Sequence, residues 1–382
     1  MTQIDDCLAS PAARKLLRLH MADGVGPIRL ARLLAHFGGV DDVLAASRNS
    51  LQKVEGVGPA TAQAILDART DERAERELEQ AARLGIRILG LTDADYPARL
   101  ASIPDPPTCL YVRGRLDPQD TAALAIVGTR RCTHYGAEQA RRFAALVAGA
   151  GFTVVSGLAR GIDAQAHEGA MQARGRTLAV LGNGLHEVYP PEHRSLADQI
   201  VESDAGAVLS EIPFCAAPET GNFPRRNRIV IGLSVGVLVV EAPRRSGALI
   251  TAAQAVDYNR EVFALPGRVD TLQAAGANQL IRDGARLVTC LEDILEELTA
   301  VERRCIPPDA RSQPDDPPPA PALFDLPPDE QAVLDSLAGE ERDLDSLAGV
   351  CRIPVPRLTS ALMHLQLKGA VRRLPGGRFA RR

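Results

Sequence analysis

The spacing of apolar and polar positions changes three times along the chain, and each change marks a segment with its own character. Residues 1–85 read as helical and carry an internal repeat. Asp23-Gly24-Val25-Gly26-Pro27 precedes a helix predicted over Ile28–His36, and Glu55-Gly56-Val57-Gly58-Pro59 precedes one over Ala60–Arg69. Proline suits a first helical turn, where its missing N–H would lack an intrahelical partner anyway. From Ile86 the period shortens to that of strands. Ile86–Leu91 and Thr108–Arg113 are short candidates flanking the proline cluster at 104–107. Apolar runs then follow at Leu124–Val127, Thr153–Val155, Thr177–Leu181, Ala207–Leu209, Val235–Val240, Glu261–Leu265 and Arg286–Val288. Helical stretches separate them, at Glu138–Ala148, Ala164–Arg174, Arg194–Glu202, Arg226–Leu233, Ala248–Asp257, Asn278–Asp283 and Leu291–Leu298. Short apolar runs alternating with helices of about ten residues predict βαβ units, hence a Rossmann-like α/β domain over 86–300 with a parallel sheet covered on both faces.

Periodicity is lost over 301–328, where nine of the 27 prolines fall, and an extended linker is expected there. Three helical stretches (Glu330–Leu337, Leu344–Val350, Pro356–Lys368) and a strand–turn–strand over 370–380 give 329–382 the order of a winged helix.

Composition is that of an ordinary globular chain: 45% apolar and 24% charged over 382 residues. The formal net charge of −4 excludes a global positive field, so any site for a polyanion is local. One local excess is terminal: Lys368, Arg372, Arg373, Arg378, Arg381 and Arg382 carry +6 with no acid among them, leaving −10 on the rest. That tail suits either a nucleic-acid or protein docking module, or a solvated end. No apolar run reaches the ~18 residues of a membrane span, and the acidic start lacks a secretory layout. Seven scattered cysteines without a C-x-x-C are expected to be reduced thiols of a cytoplasmic protein, with no metal site. Of 44 basic residues 41 are arginine, and none between Lys53 and Lys368 is lysine. Schiff-base chemistry and a P-loop lysine are thereby excluded from the central domain, while bidentate phosphate contacts stay open.

The carboxyl ends of the predicted strands carry the candidate chemistry, since ligands bind along that edge of an open parallel sheet. Gly128-Thr129-Arg130-Arg131 follows the first central strand, and Ser156-Gly157-Leu158-Ala159-Arg160-Gly161-Ile162-Asp163 the second, with Asp163 expected as a helix N-cap. Glycine admits a phosphate to the backbone, helix-start amides point at it, and arginine adds a charged fork. Gly182-Asn183-Gly184 closes the third strand. Phe223-Pro224-Arg225-Arg226-Asn227-Arg228 sets a ring beside three arginines, the arrangement that stacks a base and pairs phosphates of a single strand. Read structurally, the same segment is a helix start with a buried phenylalanine. Ser246, Gly247 and Thr251 open another helix. Dinucleotide and P-loop fingerprints are absent, so neither NAD nor ATP is implied. Glu211 and Glu241 follow strands on this edge as possible general bases, but no Ser–His or Cys–His arrangement assembles around them.

GTRRCTHYG (128–136), SGLARGIDAQAH (156–167), FPRRNRIVIGLS (223–234), VVEAPRRSGALITA (239–252), ALPG (264–267) and GANQLIRDGA (276–285) occur in order, and together they resemble the DprA/Smf family, DNA-processing protein A. The approach DYPARL…IPDPPTCLYVRG (95–114) is similar too. The glycine turns of the first segment likewise resemble tandem helix-hairpin-helix (SAM-like) units, which in that family of motifs hold DNA phosphates; ordinary helical corners would use the same residues. The DprA/Smf resemblance implies a non-enzymatic protein without cofactors that binds and protects incoming single-stranded DNA in natural transformation, loads the recombinase RecA, and forms a homodimer, with 272–288 contributing to the contact. It carries a DNA-binding role to Gly128, Thr129, Arg130, Ser156, Gly157, Arg160, Phe223, Arg225, Arg226, Asn227, Arg228, Ser246, Gly247 and Thr251. Arginine replaces lysine across the region with charge kept. Two other readings stand beside it: a Rossmann nucleotide phosphoribohydrolase, whose Pro-Gly-Gly-x-Gly-Thr loop Pro266-Gly267-Arg268 leaves after two residues, and a duplex-binding regulator acting through the winged helix.

Overall fold

The computed structural model describes residues 8–305, 328–337 and 342–354, and beyond them positions 357–358, 361–362, 365, 371–373 and 378–381. The chain divides into two compact units, Met1–Arg303 and Arg304–Arg382.

The first unit opens with helices α1 (Pro11–His20), α2 (Pro27–Phe37), α3 (Val40–Ala45), α4 (Arg48–Leu51), α5 (Pro59–Asp67) and α6 (Arg73–Arg83). The repeat is structural: Pro27 and Pro59 start α2 and α5, and Gly24 and Gly56 take φ of 79° and 84°, a region only glycine enters without strain. Strand β1 (Arg87–Gly90), helix α7 (Ala98–Ala101) and β2 (Cys109–Gly114) follow. The chain then alternates: β3 (Ala123–Val127), α8 (His134–Gly149), β4 (Thr153–Ser156), α9 (Ile162–Gln172), β5 (Thr177–Val180), α10 (Arg194–Glu202) and β6 (Gly206–Ser210). It continues with α11 (Asn222–Leu233), β7 (Gly236–Val239), α12 (Gly247–Asp257), β8 (Glu261–Ala264), α13 (Ala275–Arg282), β9 (Arg286–Leu287) and α14 (Leu291–Cys305).

Nine strands form one sheet in the order β1-β2-β6-β5-β4-β3-β7-β8-β9. From β6 to β9 all neighbours are parallel, as the βαβ pattern predicts; the β1–β2 hairpin departs from it, pairing antiparallel along β6. The two-residue period of a strand sorts its side chains between two cores. Leu124 and Ile126 face α8, α9 and α14, while Ala123, Ala125 and Val127 face α11, α12 and α13. Toward the β2–β6–β5 edge, Tyr111, Val208 and Ala179 meet the N-terminal helices instead. A buried carboxylate joins helix and sheet there: Glu77 of α6 accepts from Tyr111 Oη at 2.8 Å and from the Phe214 amide.

The connectivity creates the site. From β3 the chain steps through β4 and β5 to β6, then crosses back by α11 to place β7 on the other flank of β3. Loops leaving β3 and β7 diverge at such a switch point and open a crevice between them. Its wall is tightly built. The Thr129 amide donates to the Glu241 carbonyl at 2.7 Å. The Glu241 carboxylate accepts from the Thr133 amide (2.9 Å) and hydroxyl (2.6 Å), and Thr133 Oγ1 in turn caps α8 through Gly136 N. Glu241 is thus committed to a loop rather than to chemistry. A Cβ on Gly128 would lie 2.8 Å from the Glu241 carbonyl and inside the Ile162 side chain.

In the second unit α15 (Pro328–Ser336), β10 (Arg342–Asp343), α16 (Leu344–Cys351), β11 (Val371–Arg373) and β12 (Arg378–Arg381) surround Val333, Leu337, Leu347, Leu362 and Phe379, with the strands ordered β10-β12-β11. Most of the expected linker (306–327), much of the third expected helix and the Pro375–Gly377 turn lie outside the described residues. At the start of that linker segment, α14 continues to Cys305.

Two expectations follow. Gly128→Ala loses ~1–3 kcal/mol, the usual cost of forcing atoms into a packed site, and lowers the unfolding midpoint in a denaturant titration. Acid lowers stability through His167, which is buried in α9. Thr177 Oγ1 donates to the Val154 carbonyl (2.8 Å) and so accepts from His167 Nδ1 (2.7 Å), leaving Nε2 bare and without a partner among the described residues. Burial, then His193 and Arg226, push the imidazole pKa down to about 3, and burial takes that of His20 to about 4. Because the folded pKa lies below the unfolded value of ~6.5, this stability is complete above pH ~6.5 and drains away as pH falls toward those values. By about pH 5 each histidine costs on the order of 2 kcal/mol. A His167→Gln variant is expected to lose fewer degrees of Tm than the parent between pH 7 and about 5.

Candidate nucleic-acid interface

A cleft of about 550 Å³ opens at the switch point between β3 and β7. Gly128, Thr129, Arg130, Gly157, Phe223, Arg226, Asn227, Ser246, Gly247 and Thr251 all line it, so the loops read separately in the sequence converge on one place. Four arginines (Arg130, Arg131, Arg226 and Arg245) border the cleft against one carboxylate, Asp163. The field inside favours an anion.

Each wall has a local cause. Ser246 caps α12, its Oγ accepting from Ala248 N at 3.3 Å, and Gly247 is the first, exposed residue of that helix. Thr251 spends its hydroxyl on the Gly247 carbonyl at 3.2 Å. Gly157 is required by proximity: a Cβ there would fall on the Arg226 guanidinium. Asp163 is not the N-cap expected of it. Gly161 holds that place, and Asp163 sits in the first turn of α9, its carboxylate accepting from the Gly157 (3.2 Å) and Ala159 (3.4 Å) amides. Burial raises the Asp163 pKa, while Arg226 and those amides act against the rise.

The FPRRNR segment departs most from expectation. It lies wholly inside α11, which starts at Asn222 rather than near Arg226. At about 100° per residue, consecutive positions leave a helix in different directions, so the three arginines separate. Arg225 is exposed to solvent and does not line the cleft. Arg226, 5% exposed, reaches the cleft with Nη1 on the Val180 carbonyl. Arg228, 3% exposed, is ion-paired with Glu211 and Asp105 away from the cleft, which also removes Glu211 as a base. Burial lowers the Arg226 pKa to about 10, and Asp163 opposes the fall, so it remains a cation at neutral pH.

Phe223 is half-buried, its ring packed by two side chains. The Arg130 guanidinium sits 5.3 Å over its ring, and Tyr189 packs at 5.6 Å with the planes tilted by 51°. A Cβ on Gly182 would touch Phe223 Cδ1 at 3.0 Å, so the bare glycine is what admits the ring. Tyr189 was not legible as a site residue: it lies in a proline-rich loop with no glycine or arginine beside it. Arg131, part of the first glycine loop, lines the cleft as well, and Arg245 joins it from within the motif at 239–252. Of the other expected positions, Ser156 is buried beneath the cleft, donating to the Ile126 carbonyl at 2.6 Å, and Arg160 is ion-paired with Glu192 beside a side recess that shares Phe223 and Arg226 with the cleft.

No helix among the described residues is long and apolar enough to cross a membrane. Comparison with known proteins identifies all three segments. The family of DNA recombination-mediator protein A matches residues 87–299, the DprA winged helix domain 317–377, and the SAM-like helix-hairpin-helix tandem 15–71. Protein Smf of Synechocystis is 43% identical over 282 residues, 73% of this chain and 70% of that one. Protein Smf of Escherichia coli is 48% identical over 203 residues, 53% of this chain and 54% of that one. The X-ray structure of DNA processing protein A from Streptococcus pneumoniae superimposes with a TM-score of 0.67 at 32% identity, covering 75% of this chain and 97% of that one. Sheet, cleft and flanking modules thus agree with the matched motifs, and the chain belongs to the DprA/Smf family of DNA recombination-mediator proteins.

Proposed function

We propose that this chain binds single-stranded DNA along the carboxyl edge of its sheet, protects it, and loads RecA onto it in natural transformation and recombination. In this reading it acts in the cytoplasm as a homodimer, without catalysis or cofactor. The observation that carries the proposal is the cleft itself, where an aromatic pair under a guanidinium adjoins three further arginines. Bases stack on such a ring whatever their sequence, and arginine forks take phosphates. The committed positions of Glu211 and Glu241 support a binding rather than a hydrolytic role. The family's description as a recombination mediator supports the RecA step. Val269 (97% exposed), Leu272 (79%) and the exposed Leu287 form apolar surface in and beside the segment 272–288, and a second copy would cover it.

Fluorescence anisotropy with a labelled thymidine oligomer and a matched duplex, over several salt concentrations, tests the reading. Preference for the single strand is expected, with log affinity falling against log salt at about −0.7 per phosphate neutralised. Arg130→Ala is expected to weaken binding about tenfold, ~1.4 kcal/mol, and flatten that slope. Duplex preference, or an Arg130→Ala protein that is folded and binds normally, rejects it. Removing 326–382 is expected to leave most of the affinity; total loss would instead favour a regulator working through the winged helix.

A further inference from the structure

Two arginines, two positions apart on α11, are both buried, and the fold treats them differently. Arg228 is neutralised by Glu211 and Asp105. Arg226 makes no ion pair among the described residues; Nη1 rests on the Val180 carbonyl and Nε has no hydrogen-bond partner. Asp163 attracts it across the cleft without closing a salt bridge, and Arg130 repels it. Arg228 Nη1 is bare as well, so what sets Arg226 apart is the missing counter-ion, and a buried guanidinium without one is unfavourable unless a ligand supplies the charge. Its depth narrows what that ligand can be. Val127, Val230, Ala248 and Thr251, which line the cleft with it, are all buried, so this end of the cleft is a floor and not a surface groove. An internal phosphodiester carries a sugar on each side and must enter and leave such a recess. A strand end enters once and brings a phosphomonoester with nearly a second negative charge. The volume, about 550 Å³, falls within the range of small-molecule sites.

We propose that the cleft is a pocket for a strand's terminal nucleotide, with its phosphomonoester held by Arg226 and its base against Phe223. The inference rests on the single-strand reading above and adds to it a preference for phosphorylated ends. The Gly157 loop and the start of α12 flank the phosphate, and Tyr189 and Arg130 complete the walls around the base.

The wild-type full-length chain suffices for the test. Thymidine oligomers bearing a 5′-phosphate, a 3′-phosphate or only hydroxyl ends compete with a labelled strand, and a hydroxyl-ended oligomer two nucleotides longer matches the total charge. At least fivefold tighter binding of one phosphorylated end over the charge-matched control supports the pocket and identifies which end it takes. Displacement of that strand by thymidine 5′-monophosphate, but not by thymidine, supports it further. Equal binding of phosphorylated and charge-matched oligomers overturns the pocket while leaving the single-strand reading intact. Absence of binding by every oligomer overturns both. Arg226→Lys, checked for folding by thermal unfolding, is expected to erase the end preference; a folded variant that keeps it also overturns the assignment.

Discussion

A positive charge held under a glycine organises the carboxyl edge of this sheet. Arg226 occupies the space that a side chain at residue 157 would fill, ties α11 to the end of β5 through the Val180 carbonyl, and faces the carboxylate that gathers the β4–α9 loop. Its depressed pKa reflects the cost of that position: burial disfavours the charge by more than Asp163 restores. A hydrophobic side chain of similar length would pack there without the penalty, so stability alone does not account for the arginine. Functional sites are where a fold tolerates such local conflicts.

The rest of the edge is arranged to hold that conflict steady. Backbone and carboxylate of Glu241 bind the β3 loop at both ends, Ser156 links β4 to β3 underneath, and Asp163 takes the loop amides of residues 157 and 159. These groups are polar and would read as candidates for chemistry in isolation. In place, their donors and acceptors are consumed by one another. What faces the cleft is a ring pair, arginine and helix-start backbone, a set that favours an anion.

Much of this was readable from residue order. Strand ends followed by glycine and a hydroxyl or arginine located the cleft walls, because a parallel sheet puts all those ends on one edge. Element identity was also legible where a short apolar run or a helical stretch stood between turn signals, as in 124–127 and 248–257. The failures share a cause: they depend on direction and distance in space. Counting charges over 225–228 could not say that a helix begins at Asn222 and turns one arginine to the cleft, one to solvent and one to Glu211. Nor could it place Tyr189 against Phe223, 34 positions away, or set the β1–β2 hairpin on β6. Asp163 looked like a cap because carboxylates often are, while Gly161, with φ of 78°, had taken that place.

The near absence of lysine acquires a meaning at Arg226. Burial lowers its pKa to about 10, which leaves the guanidinium fully charged at neutral pH. The same displacement applied to an ammonium would bring it to about 8, where a cell's pH begins to strip the proton. A cleft built on lysine would loosen its hold on phosphate with each small alkaline drift. Built on arginine, it keeps one electrostatic character from mildly acidic to mildly alkaline pH.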